Sequence, residues 1–420
     1  MKTFKKITAV TAALAIASAF AGCTPSIGSG TTEALTIGDK EIPAGVFIYY
    51  TMQGFNEAQS IIQTNTGEMP EVKDVKNSNI DSIDSSDWIQ NKATDYCAGY
   101  AGILEEFEAI GGTLTAEDID SAEEMADYYY YQDARLEENG VSLDSMKKIA
   151  ESTYMEQAIF EHYYGFEGEK GCSEDELKDY FDENFARVKY VSISLLDEAG
   201  EKVAPDKEKE LRKLAENYAK QVNKKSGELD KMHELDAVSE EYDEYVAAHT
   251  TTAEGEITTT TTTTTTAVDE TTTTTTTDPY ANERLIQKYT TTTTEAADEN
   301  TLELETEAAE TPAEESETDK ETRLFNEYIF NELGKGEAKV YDYNENTIYI
   351  VMRGDLRERM TEDDYWTEDY ILSLQSQRYY EEFTNYLDEK KNLLTVEKNK
   401  SAYRRYAPFK LNLETPSSAY

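Results

Sequence analysis

Over most of residues 34–185 apolar side chains recur every three or four positions, the spacing of helices with one buried face. Leu35 to Pro43 comes first, two short strands around a Gly38-Asp39 turn. A helix follows from about Ala44, with Val46, Phe47, Tyr50 and Phe55 on its stripe. A longer one over 88–110 carries Ala93, Tyr96/Cys97, Tyr100, Leu104 and Phe107, and Gly111-Gly112 stops it. Thr115 with Asp118 caps the next, through Met125, Tyr128/Tyr129 and Leu136 to Asn139-Gly140. Ser142 caps another, through Met146, Ile149, Tyr154, Ala158 and Tyr163 to Gly165. Ser173 and Glu176 form a capping box for a short helix with Leu177, Tyr180 and Phe181.

The period then shortens. Residues 187–196 are β-branched and partly alternating, which predicts a strand. Pro205 opens a helix whose Leu211, Leu214, Tyr218 and Val222 share a face, and that pattern dissolves near Ala248. Residues 250–320 hold threonine runs and an Ala/Glu/Thr stretch that bury nothing, so an unstructured insert is expected. Within it the island 278–289 fits a short helix, though its pattern requires no element. Order resumes with a helix at Leu324 to Phe330, a hairpin of 338–341 with 347–352, and a long helix over about 365–391. The fold class is therefore α+β, mostly helical.

Composition narrows the function. With 40 basic against 86 acidic residues the chain carries −46, which repels phosphate backbones and argues against nucleic acid as a partner. Thirty tyrosines and 13 phenylalanines are too many for an unstructured acidic chain. At the start, Lys2, Lys5 and Lys6 precede an apolar stretch from Ile7 to Phe20, the anatomy of a secretory leader too short to span a bilayer. Phe20-Ala21-Gly22-Cys23 resembles a bacterial lipobox with Phe in place of the usual Leu. That resemblance implies a leader over 1–22, cleavage before Cys23, acylation of its thiol, and a tether over 23–33. The acyl chains would bury about 0.8 kcal/mol per methylene in the bilayer. Cys97 and Cys172 could pair as a disulfide in an exported chain, but Cys97 on an apolar helical face and Cys172 in a loop favour two free thiols.

The order of elements resembles the extracytoplasmic foldases of the PrsA/SurA type, and three stretches carry the likeness. These are Ile37 to Phe47 (I-G-D-x-x-I-P-x-G-x-F), the run D-E-L-K-D-Y-F-D-E-N-F-A-R-V-K-Y-V-S-I over 175–193, and F-N-E-Y-I-F-N-E-L-G-K-G-E-A-K-V with T-I-Y-I-V-M near the end. The resemblance implies a helical chaperone domain over 34–185, completed by a helix within 360–415. Into it is inserted a parvulin-like α/β domain over 186–249 and 321–356, interrupted by 250–320. An active parvulin places two histidines on adjacent central strands beside an apolar pocket for proline. Here those positions hold Tyr190 and Tyr349, and the insert replaces the glycine-rich middle that builds the pocket wall. The resemblance thus implies a degenerate isomerase, without cofactor or metal, in an extracytoplasmic lipoprotein that binds unfolded or newly exported polypeptides. Phe47, Tyr50, Tyr100, Leu104, Tyr129 and Tyr163 are its candidate contacts for such clients.

Other chemistry is thin. The sequence contains no nucleophile elbow, phosphate loop, paired-histidine metal motif or C-x-x-C. His162, His233 and His249 read as solvated or capping residues, and Glu240 to Glu244 and Glu362 to Asp364 as solvated acidic faces without calcium-loop spacing. In the run Tyr128 to Tyr131, consecutive helical positions point in different directions; one pair is expected in the core and the others on a client-binding surface. Two further readings stay open: an active isomerase using non-standard groups such as Tyr190 and Tyr349, and a surface scaffold lipoprotein with a glycosylated threonine tract. The sequence does not set the oligomeric state.

Overall fold

The computed structural model describes residues 33–249, 280–289 and 316–414. The leader, Cys23 and most of the threonine-rich insert lie outside the described residues. The chain divides into two compact units, Met1–Phe160 with Glu381–Tyr420, and Glu161–Tyr380. Among the described residues there are twelve α-helices and antiparallel sheets, a mostly helical α+β protein. None of these helices is long and apolar enough to cross a membrane.

The helical unit begins with β1 (Leu35–Ile37) and β2 (Lys40–Ile42), turned by Gly38 at φ +58. Leu35, Ile37 and Ile42 point inward. Pro43 leads into α1 (Ala44–Thr66), which ends at Gly67 in the left-handed conformation, its N–H donated to the Gln63 carbonyl at 2.7 Å. After α2 (Val72–Lys76) comes a hairpin that the hydrophobic pattern does not announce, β3 (Asn79–Ile80) and β4 (Ile83–Asp84). Its two turn residues, Asp81 and Ser82, both have positive φ, as a two-residue hairpin turn demands. Next are α3 (Ser85–Ala109), α4 (Ala116–Gln132), α5 (Ala134–Glu138) and α6 (Leu143–Tyr164). Thr115 and Asp118 make the expected reciprocal cap; Asp133, which caps α5, breaks the single helix expected through Leu136. Two apolar clusters flank α1, one built on Met52, Phe55 and Trp88, the other on Phe47, Ala93 and Cys97.

The sheet unit opens with α7 (Glu174–Asn184), capped by Ser173 and Glu176 as expected, and β5 (Phe185–Ser194). Then come α8 (Pro205–Asn223) and a separate α9 (Glu228–His249), followed by β6 (Arg284–Gln287). Residues 284–287 therefore form a strand inside the span expected to be unstructured, where a short helix was the alternative. α10 (Glu317–Asn331), β7 (Ala338–Asn344) and β8 (Thr347–Gly354) complete a four-stranded antiparallel sheet of order β6-β5-β8-β7. On one face Val191, Ile193, Ile348, Ile350 and Met352 pack with α8 and α9; on the other Ala186, Val188 and Val351 pack with Phe325 and Ile329 of α10. The unit reaches beyond the expected 186–356. α7 and the start of α11 (Glu368–Asn392) share a core of Leu177, Phe181, Phe185, Trp366 and Leu374.

The chain then returns to the helical unit. β9 (Val396–Lys398) pairs with β1, Ile37 opposite Val396, and α12 (Lys400–Arg405) follows an Asn399 cap. Glu106, only 4% exposed, accepts from Tyr386 Oη and pairs with Lys390 at 2.7 Å, fixing the end of α11 to α3.

A buried charge cluster explains why β6 docks. Arg187, 1% exposed, pairs with Glu228 of α9 and lies 3.3 Å from Glu283, which Arg359 also holds at 3.0 Å. Tyr280 lies under the Arg359 guanidinium, 3.8 Å from its ring centre. The residues just before β6 are thus tied to the sheet by side chains, although only Leu285 and Ile286 supply apolar contact. Arg187 needs room: a methyl on Gly354 would stand 2.5 Å from its Nε. Gly354→Ala is expected to destabilise the protein by about 1–3 kcal/mol, seen as a lower urea midpoint by circular dichroism. Gly334→Ala, whose methyl meets no atom nearer than 3.6 Å, should leave that midpoint almost unchanged.

Candidate functional site

The first and last long strands of the sheet unit, β5 and β8, are its adjacent central pair. Tyr190 stands opposite Val351 and Ser192 opposite Tyr349, so the two tyrosines are diagonal neighbours on one face. Their rings stack 4.5 Å apart at 30°. Phe325 of α10 meets Tyr190 edge-on at 5.9 Å and Tyr349 at 5.3 Å. Tyr343 of β7 stacks on the free side of Tyr349 at 4.6 Å, and Tyr341 stacks on Tyr328 at 4.4 Å. The Arg284 guanidinium lies 5.1 Å over the Tyr190 ring.

Where a prolyl isomerase needs an open desolvated pocket, this face is filled by rings. Two shallow hollows of about 290 and 300 Å³ occur elsewhere, one lined by Glu176, Asp179 and Arg378, the other by Lys76, Phe409 and Lys410; neither touches Tyr190 or Tyr349. Burial, reinforced by Tyr190 and Tyr343, raises the Tyr349 phenol to about 12, so it stays protonated at neutral pH and cannot act as a base. What the cluster offers is half-buried apolar area with polar tips, suited to weak contact with varied side chains.

The six candidate client contacts divide. Tyr50 and Tyr100 come together in the helical unit, ring centres 6.5 Å apart, with Tyr96 stacked on Tyr50 at 5.7 Å and Tyr49 edge-on at 5.4 Å. The Tyr96 hydroxyl donates to Glu57 at 2.6 Å. Phe47 is fully buried, its ring 5.4 Å from Tyr403, and Tyr100 is 5% exposed. As surface contacts both are corrected: Phe47 of α1 and Tyr100 of α3 lie in one buried cluster, and apolar spacing alone does not tell an inner stripe from a binding stripe. Leu104 is half-buried against the same core. Tyr129 is 49% exposed on α4, and Tyr163 is half-buried in the sheet unit.

The tyrosine run is also corrected. Tyr128, Tyr129 and Tyr131 are 62%, 49% and 75% exposed, and only Tyr130 packs inward. The face of α4 that packs is built from Ala122, Ala126 and Tyr130 at four-residue steps, which turns the other three outward. Cys97 and Cys172 are free and buried, and the three histidines are exposed. Among the described residues no cluster of three His, Cys, Asp or Glu could hold a metal ion.

Phe325, Tyr343 and Arg284 belong to the sheet-face cluster and were not singled out from sequence. The alternation Tyr341, Tyr343 with Tyr349 across the hairpin is the signal that could have found part of it. No known protein family, curated protein or solved structure matches this chain.

One acid in the helical unit is poised near neutrality. Burial alone raises Glu156 of α6 from 4.5 to about 7, and it lies near enough to Tyr50 to push that phenol higher. Folded, this carboxyl keeps its proton to about pH 7, while unfolded it releases it near 4.5, so its contribution to stability falls as pH rises through that window. Glu156→Gln is expected to raise the thermal midpoint at pH 8 by roughly 5 °C and to change it little at pH 4. Differential scanning calorimetry at the two pH values checks this.

Proposed function

We propose that this chain is an extracytoplasmic polypeptide-binding protein of the foldase type, anchored through an acylated Cys23, whose sheet unit no longer isomerises proline. The observation that carries this reading is the filled face, with Tyr190 and Tyr349 stacked at 4.5 Å and closed over by Phe325. Its strand arrangement also supports the resemblance, because the first and last long strands lie side by side at the centre and bring those two positions together.

A binder of unfolded chains needs apolar area that tolerates many sequences and a surface that keeps the complex in solution. Exposed Tyr128, Tyr129 and Tyr131 and the half-buried sheet-face rings supply the first. The net charge of −46 supplies the second, and favours neutral or basic clients over acidic ones. Neither role requires a cofactor or metal.

The test is suppression of aggregation. The full chain at stoichiometric amounts should reduce light scattering by thermally unfolding citrate synthase. The triple variant Tyr128→Ser, Tyr129→Ser, Tyr131→Ser should keep the wild-type circular dichroism spectrum and need at least about three times more protein for the same effect, as loss of a few weak apolar contacts predicts. Unaltered scattering with the wild-type chain rejects the binding role.

A further inference from the structure

The geometry points to a strand position on β5, unfilled among the described residues and beside the Tyr190–Tyr349 face, that takes an extended, neutral-to-basic polypeptide segment as an added β-strand. This deepens the reading of the chain as a polypeptide binder and rests on it.

β5 runs from Phe185 to Ser194, but β6 covers only residues 185–188 of its outer edge. The Lys288 N–H donates to the Asn184 carbonyl on that edge, and the Leu195 N–H donates to Asn346 on the β8 side. Backbone groups alternate along a strand, so even-numbered residues of β5 face outward and odd-numbered ones face β8. The N–H and C=O of Tyr190 and Ser192 therefore point past the end of β6. Ser194 also faces out, but its N–H is already taken by the Tyr242 hydroxyl at 3.1 Å. Continuing the register, residue 282 would stand opposite Tyr190. Asn282 instead adopts φ +64 and turns the chain off the sheet. Among the described residues nothing pairs with these four backbone groups, and Ser192 is exposed.

The opposite edge of the sheet is handled differently. On β7 the Asn223 side chain bonds both the N–H and the C=O of Ala338, at 2.9 and 2.7 Å. A register shift between Asp342 and Asn344 disturbs the strand, and Arg212 crosses to pair with Asp342. Bulges and inserted charges of this kind block strand addition. Among the described residues the β5 edge from Tyr190 to Ser192 carries no bulge and no side-chain bond to its backbone, though Arg284 lies over the Tyr190 ring.

The occupant follows from chemistry. Backbone groups at alternate residues call for an extended backbone, and the adjacent aromatic face calls for apolar side chains at every second position of that strand. A chain at −46 disfavours an acidic segment.

The probe is an eight-residue peptide alternating valine and threonine, with a lysine at each end. Hydrogen exchange of the full chain is read at single residues by mass spectrometry. At saturating peptide the Tyr190 and Ser192 amides should slow by at least about tenfold. Val191 and Ile193, already bonded to β8, should not change. Ser192→Pro, which removes one outward donor, should weaken binding at least about tenfold, while Ser192→Ala should not. Binding with no slowing at Tyr190 and Ser192 overturns the strand position and leaves the polypeptide-binding role intact. So does an absence of peptide binding up to about 1 mM by a chain that still suppresses aggregation. If both peptide binding and aggregation suppression are absent, both readings fall.

Discussion

The pairing of β5 with β8, from Arg187 opposite Gly354 to Ser194 opposite Thr347, is the constraint on which the sheet unit depends. It joins segments more than 150 positions apart in the chain, with the threonine-rich insert lying between them. Loop-closure entropy grows only with the logarithm of length, so such an insert adds little to the cost of pairing. The pairing also assigns every side chain to a face. A slip of one residue would send Arg187 and Lys189 into the aromatic layer and Tyr190 toward α9.

The two faces then follow different physics. Toward α9 the sheet buries two cations, Arg187 against Glu228 and Glu283, and Lys189 against Asp236 at 2.6 Å. Buried pairs of this sort add little net stability, but removing one partner is expensive, so they select one register and one docking of β6. Burial raises Glu283 despite two guanidiniums beside it, which marks how dry the cluster is. Toward α10 the sheet presents stacked rings. That layer leaves no space for a proline ring, yet it borders a strand edge that is unpaired among the described residues. The proposed reading as a polypeptide binder rests on that contrast.

Much of this was legible in sequence because it is local. Thr115 with Asp118 and Ser173 with Glu176 signal helix starts that the structure forms, and 338–352 reads as the hairpin it is. What was not legible is held by partners distant in sequence. β9 is exposed at all three residues and exists only through β1, so no burial pattern marks it. β6 has two apolar residues in a polar setting and is fixed by Arg187 and Arg359. The turn at Asp81-Ser82 uses positive φ without glycine. At the site, Tyr190 and Tyr349 could be placed on their strands from sequence, but whether they faced space or each other depended on Phe325 from α10. Phe47 was misread for a related reason: a helix covered on two sides shows the same apolar spacing as one with a binding stripe.

The central claim is that the sheet unit binds extended chain beside the Tyr190–Tyr349 face without turning proline. Two-dimensional exchange NMR on an alanyl-prolyl peptide measures both halves at once. On adding the full chain, the account predicts shifted or broadened peptide resonances and no cis–trans exchange peaks beyond the uncatalysed rate, which takes tens of seconds or longer. Exchange peaks on the subsecond scale would contradict it, because they require a catalytic pocket on a face that the rings fill.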